Sequence, residues 1–368
     1  MSLFLIDAGN EWRGGQRQVL FLARELHRAK YPFWLVVQRG GPLHKKAADE
    51  GLPLLPLKMR NEADLLAVLR LAAAMRRRRC VLAHFNDAHG TGIGSRAAGL
   101  AKVPLRVISR RVDFPIRSKS KYVKEIDAII AISEGVRKVL IDDGIPPALV
   151  EVIPSGIDFS PFEEARERGF LRREFGFAPD DFLVGIVAQL EDHKGHRYLV
   201  EAAQILKGQA PKMKFVIVGE GSLRIELDRQ AHNLHVDDVV YFLGFREDVP
   251  RILASLDLFV LSSHMEGLGS SLMDAMASRL PIVATTAGGI PEVVRDRETG
   301  LLVPPRDPPA LAQAILKVYL DKGLAGRLAQ RGYEVVHEKF SAESMARKVI
   351  ALYERLAAKK GVQLDRTL

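Results

Sequence analysis

Cysteine is almost missing from this chain: Cys80 stands alone among 368 residues. No internal disulfide can form, so the fold rests on its core, as is usual in reducing compartments. Cys80 leads an apolar run after four arginines, a setting in which a lone cysteine reads as packing rather than as a catalytic thiol. Aromatic residues are only 7% of the sequence and are not interleaved with the basic runs, which argues against a nucleic-acid partner. No apolar stretch approaches the roughly 20 residues that span a bilayer. The opening run Leu3–Ile6 lacks the basic flank and longer apolar core of an export signal, so a cytoplasmic location is expected. There is no short internal repeat and no low-complexity tract, and no two histidines and a carboxylate stand at metal-site spacing.

What the chain does have is length for two α/β domains and a lopsided charge. Residues 1–160 hold 26 Lys plus Arg against 16 Asp plus Glu, whereas residues 161–368 hold 28 against 29. The excess of the first half points to an anionic partner such as a membrane surface or a phosphorylated glycolipid; scattered, solvated arginines are the plainer alternative. Short β-rich runs alternate with helix-length amphipathic segments, the pattern of parallel sheets joined by crossover helices. The first series of strands is expected at Leu3–Ile6, Trp34–Val37, Leu54–Leu57, Val81–His84, Leu105–Ser109, Ala128–Ile132 and Val150–Ile153, buried on both faces. After a linker, PSGIDFSPF at 154–162, a second series is expected at Leu183–Val187, Phe215–Val218, Val239–Phe242, Leu258–Leu261, Ile282–Thr285 and Leu301–Val303. Helices follow at Pro309–Leu320, Leu324–Glu338 and Ala342–Ala358, the last capped by Ser341. Two lobes imply a cleft.

The densest stretch of chemistry is HMEGLGSSLMDAMASRLPIVATTAGGIPE, residues 264–292. Glu266 follows a strand, Gly267 and Gly269 flank Leu268 and permit close backbone approach, and Ser270 and Ser271 open a helix. Free amides and a positive dipole at such a helix start suit a diphosphate, and open α/β sheets bind ligands at this edge. Asp274 lies one turn beyond the serines on the same face, so Glu266 and Asp274 can hold hydroxyls on either side of the phosphates. Gly288 and Gly289 make a second loop free of side chains, and Pro291 suits the first turn of the next helix. Lys194 stands before Gly195, where a cation offsets charge developing on a departing diphosphate. Gly219 and Arg224, in VGEGSLR, read as a nucleotide-side loop, and the backbone near Phe245 and Arg246, in FLGFRED, as a partner for a base edge; the aromatic of that segment could equally belong to the core.

These segments together resemble the family 4 retaining glycosyltransferases over nearly the whole chain, best in EGLGSSLMDAMA, AGGIPE, VGEGSLR, FLGFRED and IPSGID. The resemblance implies two Rossmann-like domains in the GT-B arrangement, with a deep interdomain cleft and a C-terminal helix crossing back to the N-terminal domain. On this reading residues 1–160 with about 342–368 bind the acceptor and residues 161–341 the nucleotide sugar. The family's first acid meets the sugar and its second the ribose, places filled here by Glu266 and Asp274, the latter one methylene shorter than the usual glutamate. A phosphate-binding Arg and Lys stand five residues apart in the family; here Gln189 replaces the arginine and Lys194 remains. The glycine pair Gly14 and Gly15 after the first strand matches a family loop near donor phosphate or acceptor. Arg110 stands where many relatives carry a histidine and is assigned a sugar or phosphate contact. His84, His89, Arg111 and Asp113 are further strand-end candidates on the acceptor side, although a lone histidine is more often structural.

The implied activity is transfer of a sugar, with retention, from a UDP- or GDP-sugar to a glycan or glycolipid hydroxyl in surface-polysaccharide or lipopolysaccharide synthesis, without metal or other cofactor. A sugar-nucleotide epimerase or phosphorylase on the same architecture is a rival, since fold does not fix reaction. So is a non-catalytic sugar-nucleotide-binding protein, given Gln189 and Asp274. A dinucleotide-dependent oxidoreductase lacks a complete GxGxxG after any strand.

Overall fold

The computed structural model describes residues 1–116, 119–165 and 167–364. They form two compact units, Met1–Gly156 with Ala342–Leu368, and Ile157–Ser341.

The first unit is built on seven parallel strands: β1 (Ser2–Asp7), β2 (Phe33–Gln38), β3 (Leu54–Leu57), β4 (Cys80–Phe85), β5 (Leu105–Arg110), β6 (Ala128–Ala131) and β7 (Val150–Val152), in the order β3-β2-β1-β4-β5-β6-β7. All six residues of β1 and of β4 are buried, because helices cover both faces of the sheet centre. β3 and β7 depart from the expected double burial: they lie at the two sheet edges, and all four residues of β3 and two of the three of β7 are half-buried. Cys80 opens β4, buried, and burial pushes its thiol up, as fits a packing residue. The helix Ala342–Lys360 completes this unit. Its Met345, Ala346, Val349, Leu352, Tyr353 and Ala357 join the core of β1, β2 and the helix Gly14–Arg28, against which it packs.

The second unit carries six parallel strands: β8 (Phe182–Val187), β9 (Met213–Val218), β10 (Val240–Gly244), β11 (Leu258–Leu261), β12 (Ile282–Thr285) and β13 (Leu301–Val303), in the order β10-β9-β8-β11-β12-β13. Both sheets therefore reverse their strand order once near the middle, at β1/β4 and at β8/β11. Such reversals open a crevice at the carboxyl ends of the strands.

The passage from the first unit to the second falls at Gly156, four residues before the expected boundary at 160. Gln18, buried in the helix Gly14–Arg28, donates from Nε2 to Gly156 O at 2.8 Å and accepts from Gly156 N at 2.7 Å. Ile157 then donates to Phe340 O at 2.7 Å and pairs with Ser341, so outgoing and returning chain run side by side. The expected linker 154–162 is thus only partly irregular, its last residues starting a short helix, Ser160–Glu164.

Candidate functional site

In the second unit three loops at the carboxyl edge of the sheet are knitted together. β8 and β11 are hydrogen-bonded neighbours, so their following loops start side by side. Gly195 adopts φ +67°, and a Cβ there would fall 2.1 Å from Ser262 O, which only glycine permits. Ser262 Oγ donates to Lys194 O at 3.2 Å across the same contact. This close approach brings Lys194 Nζ to 2.6 Å from Glu266 Oε2, and Ser263 Oγ donates to that oxygen at 3.2 Å. The pair is largely enclosed, with side-chain exposures of 20% for Lys194 and 10% for Glu266. The third loop, after β12, joins through Gly289 N, which donates to Glu266 O at 2.9 Å, and through Thr285 Oγ1, which donates to Ser263 O at 2.5 Å.

The segment Gly267-Leu268-Gly269 leads from Glu266 into the helix Ser270–Ala277. Gly269 has φ +85° and, lacking a side chain, caps nothing, so the amides of Ser270 and Ser271 open the helix without a side-chain cap. Asp274 is buried one turn on. Gly288, exposed at φ +51°, and Gly289 lead into the four-residue helix Ile290–Val293, with Pro291 in its first turn as expected.

Gln189 and Gly219 are also brought together. At Gly219, φ +140°, a Cβ would stand 2.0 Å from Ala188 O, so the loop after β9 lies directly on the loop after β8. Leu190 N donates to Glu220 O and Leu223 N to Leu190 O, each at 3.0 Å. Arg224 is turned elsewhere. It pairs with Asp228 at 2.8 Å and its guanidinium lies 4.8 Å from the centre of the Phe242 ring. Arg246 is likewise committed, to Glu174 at 2.6 Å and Asp248 at 2.7 Å, and these carboxylates raise its pKa. Its side chain ties the loop after β10 to the body of the unit, leaving only backbone for a ligand. Phe245 is not a core residue: 57% of it is exposed.

In the first unit the carboxyl ends of β1 and β4 meet two carboxylates that sequence reasoning passed over. Asp7, the last residue of β1, accepts from Gln16 Nε2 at 3.0 Å and from Gly9 N at 2.9 Å. Asp87, just past β4, accepts through Oδ1 from Ala8 N at 2.9 Å and Gly90 N at 3.1 Å. Burial raises both acids, and the neighbouring Asp7 helps push Asp87 up to about 6. Their only sequence signals were an aspartate ending a buried strand and an Asp-x-x-Gly cap.

Arg111 stands near Asp7. Burial lowers it to about 10, against the pull of Asp7, and its enclosed Nε has no hydrogen-bond partner among the described residues. A Cβ on Gly15 would lie 3.5 Å from Arg111 Cδ, so Gly15 and this arginine converge, and Gly14 and Gly15 open the helix Gly14–Arg28. His84 is corrected from a ligand candidate to a core residue. It is 1% exposed, with Nδ1 2.6 Å from Tyr353 Oη and Nε2 2.8 Å from Ser109 Oγ, and burial pushes it down to about 3. A histidine so enclosed stays neutral and cannot collect a proton from a substrate. His89 is exposed on the first turn of the helix Ala88–Ala101, and Asp113 is half-buried after β5. Arg110 is spent on its own loop, donating to Tyr122 Oη at 3.1 Å and to Phe114 O.

A family model described as glycosyl transferases group 1 matches residues 167–335, and one described as glycosyltransferase family 4 matches residues 12–160. The UDP-Gal:alpha-D-GlcNAc-diphosphoundecaprenol alpha-1,3-galactosyltransferase of Escherichia coli is 27% identical over 333 residues, 84% of this chain and 86% of that protein. The lipopolysaccharide core biosynthesis glycosyltransferase LpsE of Rhizobium meliloti (strain 1021) is 30% identical over 238 residues, 65% of this chain and 66% of that protein. Several other curated relatives are matched over only 44 to 63% of their own length. Among solved structures, the crystal structure of Anabaena Alr3699/HepE in complex with UDP-glucose superposes with a TM-score of 0.87 at 21% identity, over 96% of this chain and all of that one. That likeness shows the two-domain α/β fold, the GT-B architecture.

Proposed function

The chain belongs to the group 1 glycosyltransferases of family 4, and on that premise we propose that it transfers a glycosyl group from a nucleotide diphosphate sugar to an acceptor hydroxyl. The observation that carries the proposal is the enclosed Lys194–Glu266 pair, set at the switch point of the second sheet beside the glycine-led helix Ser270–Ala277. A diphosphate at the amides of Ser270 and Ser271 gives Lys194 a new anionic partner. Glu266 is then released to accept from sugar hydroxyls. As the bond to the anomeric carbon breaks, charge grows on the diphosphate, and Lys194 with the oriented amides stabilises it without reorganising.

We assign retention of configuration: the acceptor hydroxyl enters on the face the diphosphate leaves, and a diphosphate oxygen takes its proton. No protein nucleophile and no metal enter this scheme. Gln189, in the place where the family resemblance implies an arginine, offers hydrogen bonds but no charge, so Lys194 bears more of the electrostatic load. The names of the relatives support a nucleotide-sugar donor and a lipid-borne acceptor in surface-polysaccharide or lipopolysaccharide synthesis, since that of the E. coli protein specifies UDP-Gal and a diphosphoundecaprenol acceptor. The acceptor is assigned to the first unit, at Gly15, Arg111, Asp7 and Asp87.

Calorimetric titration with UDP, GDP, ADP and their sugars tests the reading. If Asp274 serves the ribose, Asp274→Ala weakens free diphosphate and sugar nucleotide alike, by about 1 to 3 kcal/mol. Glu266→Ala weakens only the sugar nucleotide. Absence of binding by every nucleotide in the unaltered protein would overturn the function, and equal losses for both ligands in Glu266→Ala would overturn the division of labour.

A further inference from the structure

The helix Leu65–Arg77 has two apolar sides, and only one is covered. Ala67, Val68, Leu71, Ala72 and Met75 are buried, and the helix packs on the helix Ala88–Ala101 and on β4. The other side presents Leu65, Leu66 and Leu69 at 70%, 57% and 59% exposure. Surface leucines are ordinarily scattered singly; here Leu65 and Leu66, four and three residues before Leu69, both neighbour it on one side of the helix. The following turns of that outer side carry Arg70, Arg76 and Arg77, all exposed. The helix contains no acidic residue, and residues 58–102 hold nine Lys or Arg against three Asp or Glu. Two of those acids are committed elsewhere, Asp64 to capping this helix through Ala67 N and Asp87 to β1 and the start of the next helix. Leu100, also exposed, adjoins the patch through its carbonyl, to which Arg76 donates.

We propose that this face docks the first unit onto an anionic lipid bilayer. Leu65, Leu66 and Leu69 enter the boundary between headgroups and acyl chains, and the arginines extend along it to lipid phosphates. A helix suits that role, because its own backbone groups are already paired. A second copy of the chain fits worse: a two-fold contact through this face sets arginines against arginines, and three leucines fall far below the roughly 800 Å² per partner of a stable dimer. The proposal deepens the reading of a lipid-borne acceptor, yet it is tested apart from it.

The full chain is sedimented with phosphatidylcholine vesicles with and without phosphatidylglycerol, alongside Leu65→Ser/Leu66→Ser/Leu69→Ser and Arg70→Glu/Arg77→Glu. The unaltered protein should favour the anionic vesicles and be released as salt rises. The leucine variant should partition at least about tenfold more weakly, and each reversed arginine should cost at least about fivefold. Nucleoside diphosphate binding should be unchanged in both variants, so loss of nucleotide binding in the unaltered protein would count against the function and leave the docking surface standing. Equal partition onto neutral vesicles, or undiminished binding by the leucine variant, would overturn the proposal. So would a dimer in the ultracentrifuge that the leucine variant dissolves, since the face would then belong to a second copy.

Discussion

Replacing Lys194 by methionine removes the cation 2.6 Å from Glu266 Oε2 and leaves that carboxylate with Ser263 Oγ at 3.2 Å in a site where its side chain is only 10% exposed. Breaking a fully buried ion pair from one side costs about 3 to 5 kcal/mol. Here water reaches a fifth of the Lys194 side chain, so the cost should fall to about 1 to 3 kcal/mol. Glu266→Gln is the milder change, because the long Lys194 side chain can turn its ammonium to solvent, and about 1 kcal/mol or less is expected. The double variant leaves no stranded charge, so its cost should fall short of the sum of the singles by about 1 to 2 kcal/mol. Denaturant unfolding of the four proteins measures this, and because two units can melt separately, the transition that moves also identifies the unit. Nucleoside diphosphate adds a second reading. The stabilisation that ligand confers on the parent should shrink in Lys194→Met, and glycosyl transfer should drop about 100-fold. Additivity of the single costs within about 0.5 kcal/mol would refute the reasoning, since two groups that do not interact cannot be exchanging partners with a ligand.

Two further perturbations probe the strand ends. Asp87 titrates near 6 in the folded protein against an ordinary 3.8. The native state therefore holds its proton more firmly than the unfolded chain, and Asp87 costs stability increasingly as pH rises from about 4 to about 6. Asp87→Asn keeps an Oδ1 for the amides of Ala8 and Gly90, so it should be more stable than the parent by about 1 to 3 kcal/mol at pH 8 and indistinguishable from it near pH 4; unfolding midpoints at the two pH values check this, and a variant less stable at pH 8 contradicts it. Gly195→Ala forces a Cβ to 2.1 Å from Ser262 O at a left-handed φ. The loop must then shift, costing about 2 to 4 kcal/mol and weakening diphosphate binding, and unchanged affinity by calorimetry would show that the close approach does not position Lys194.

The strand series was legible because continuous apolar runs bounded by glycine, proline and polar residues mark doubly covered parallel strands, and each expected strand overlaps an observed one. The edge position of Leu54–Leu57 was not, since sheet order leaves no local trace in a run of four apolar residues. Glu266 and the glycine loops stood out for their density within one segment. Their meeting with Lys194, 72 positions earlier, depends on β8 lying next to β11, which periodicity does not reveal. The same limit hid Asp7 and Asp87: each is an unremarkable strand-end aspartate until β1 and β4 are known to be neighbours. His84 misled for a related reason. A strand end faces either a ligand or a covering helix, and the covering residue, Tyr353, lies 269 positions away.

That distance bears on how the protein is made. The core of the first unit includes residues up to Ala357, so it cannot close when Gly156 leaves the ribosome. The intervening second unit draws on no residue outside Ile157–Ser341 for its own sheet and can fold during synthesis. At ordinary elongation rates its translation holds the first unit open for on the order of 10 to 40 s, with the apolar side of the helix Gly14–Arg28 uncovered. Nascent chains therefore spend that interval with Leu22, Leu26 and their neighbours available to chaperones or to other nascent chains, until the helix Ala342–Lys360 is translated.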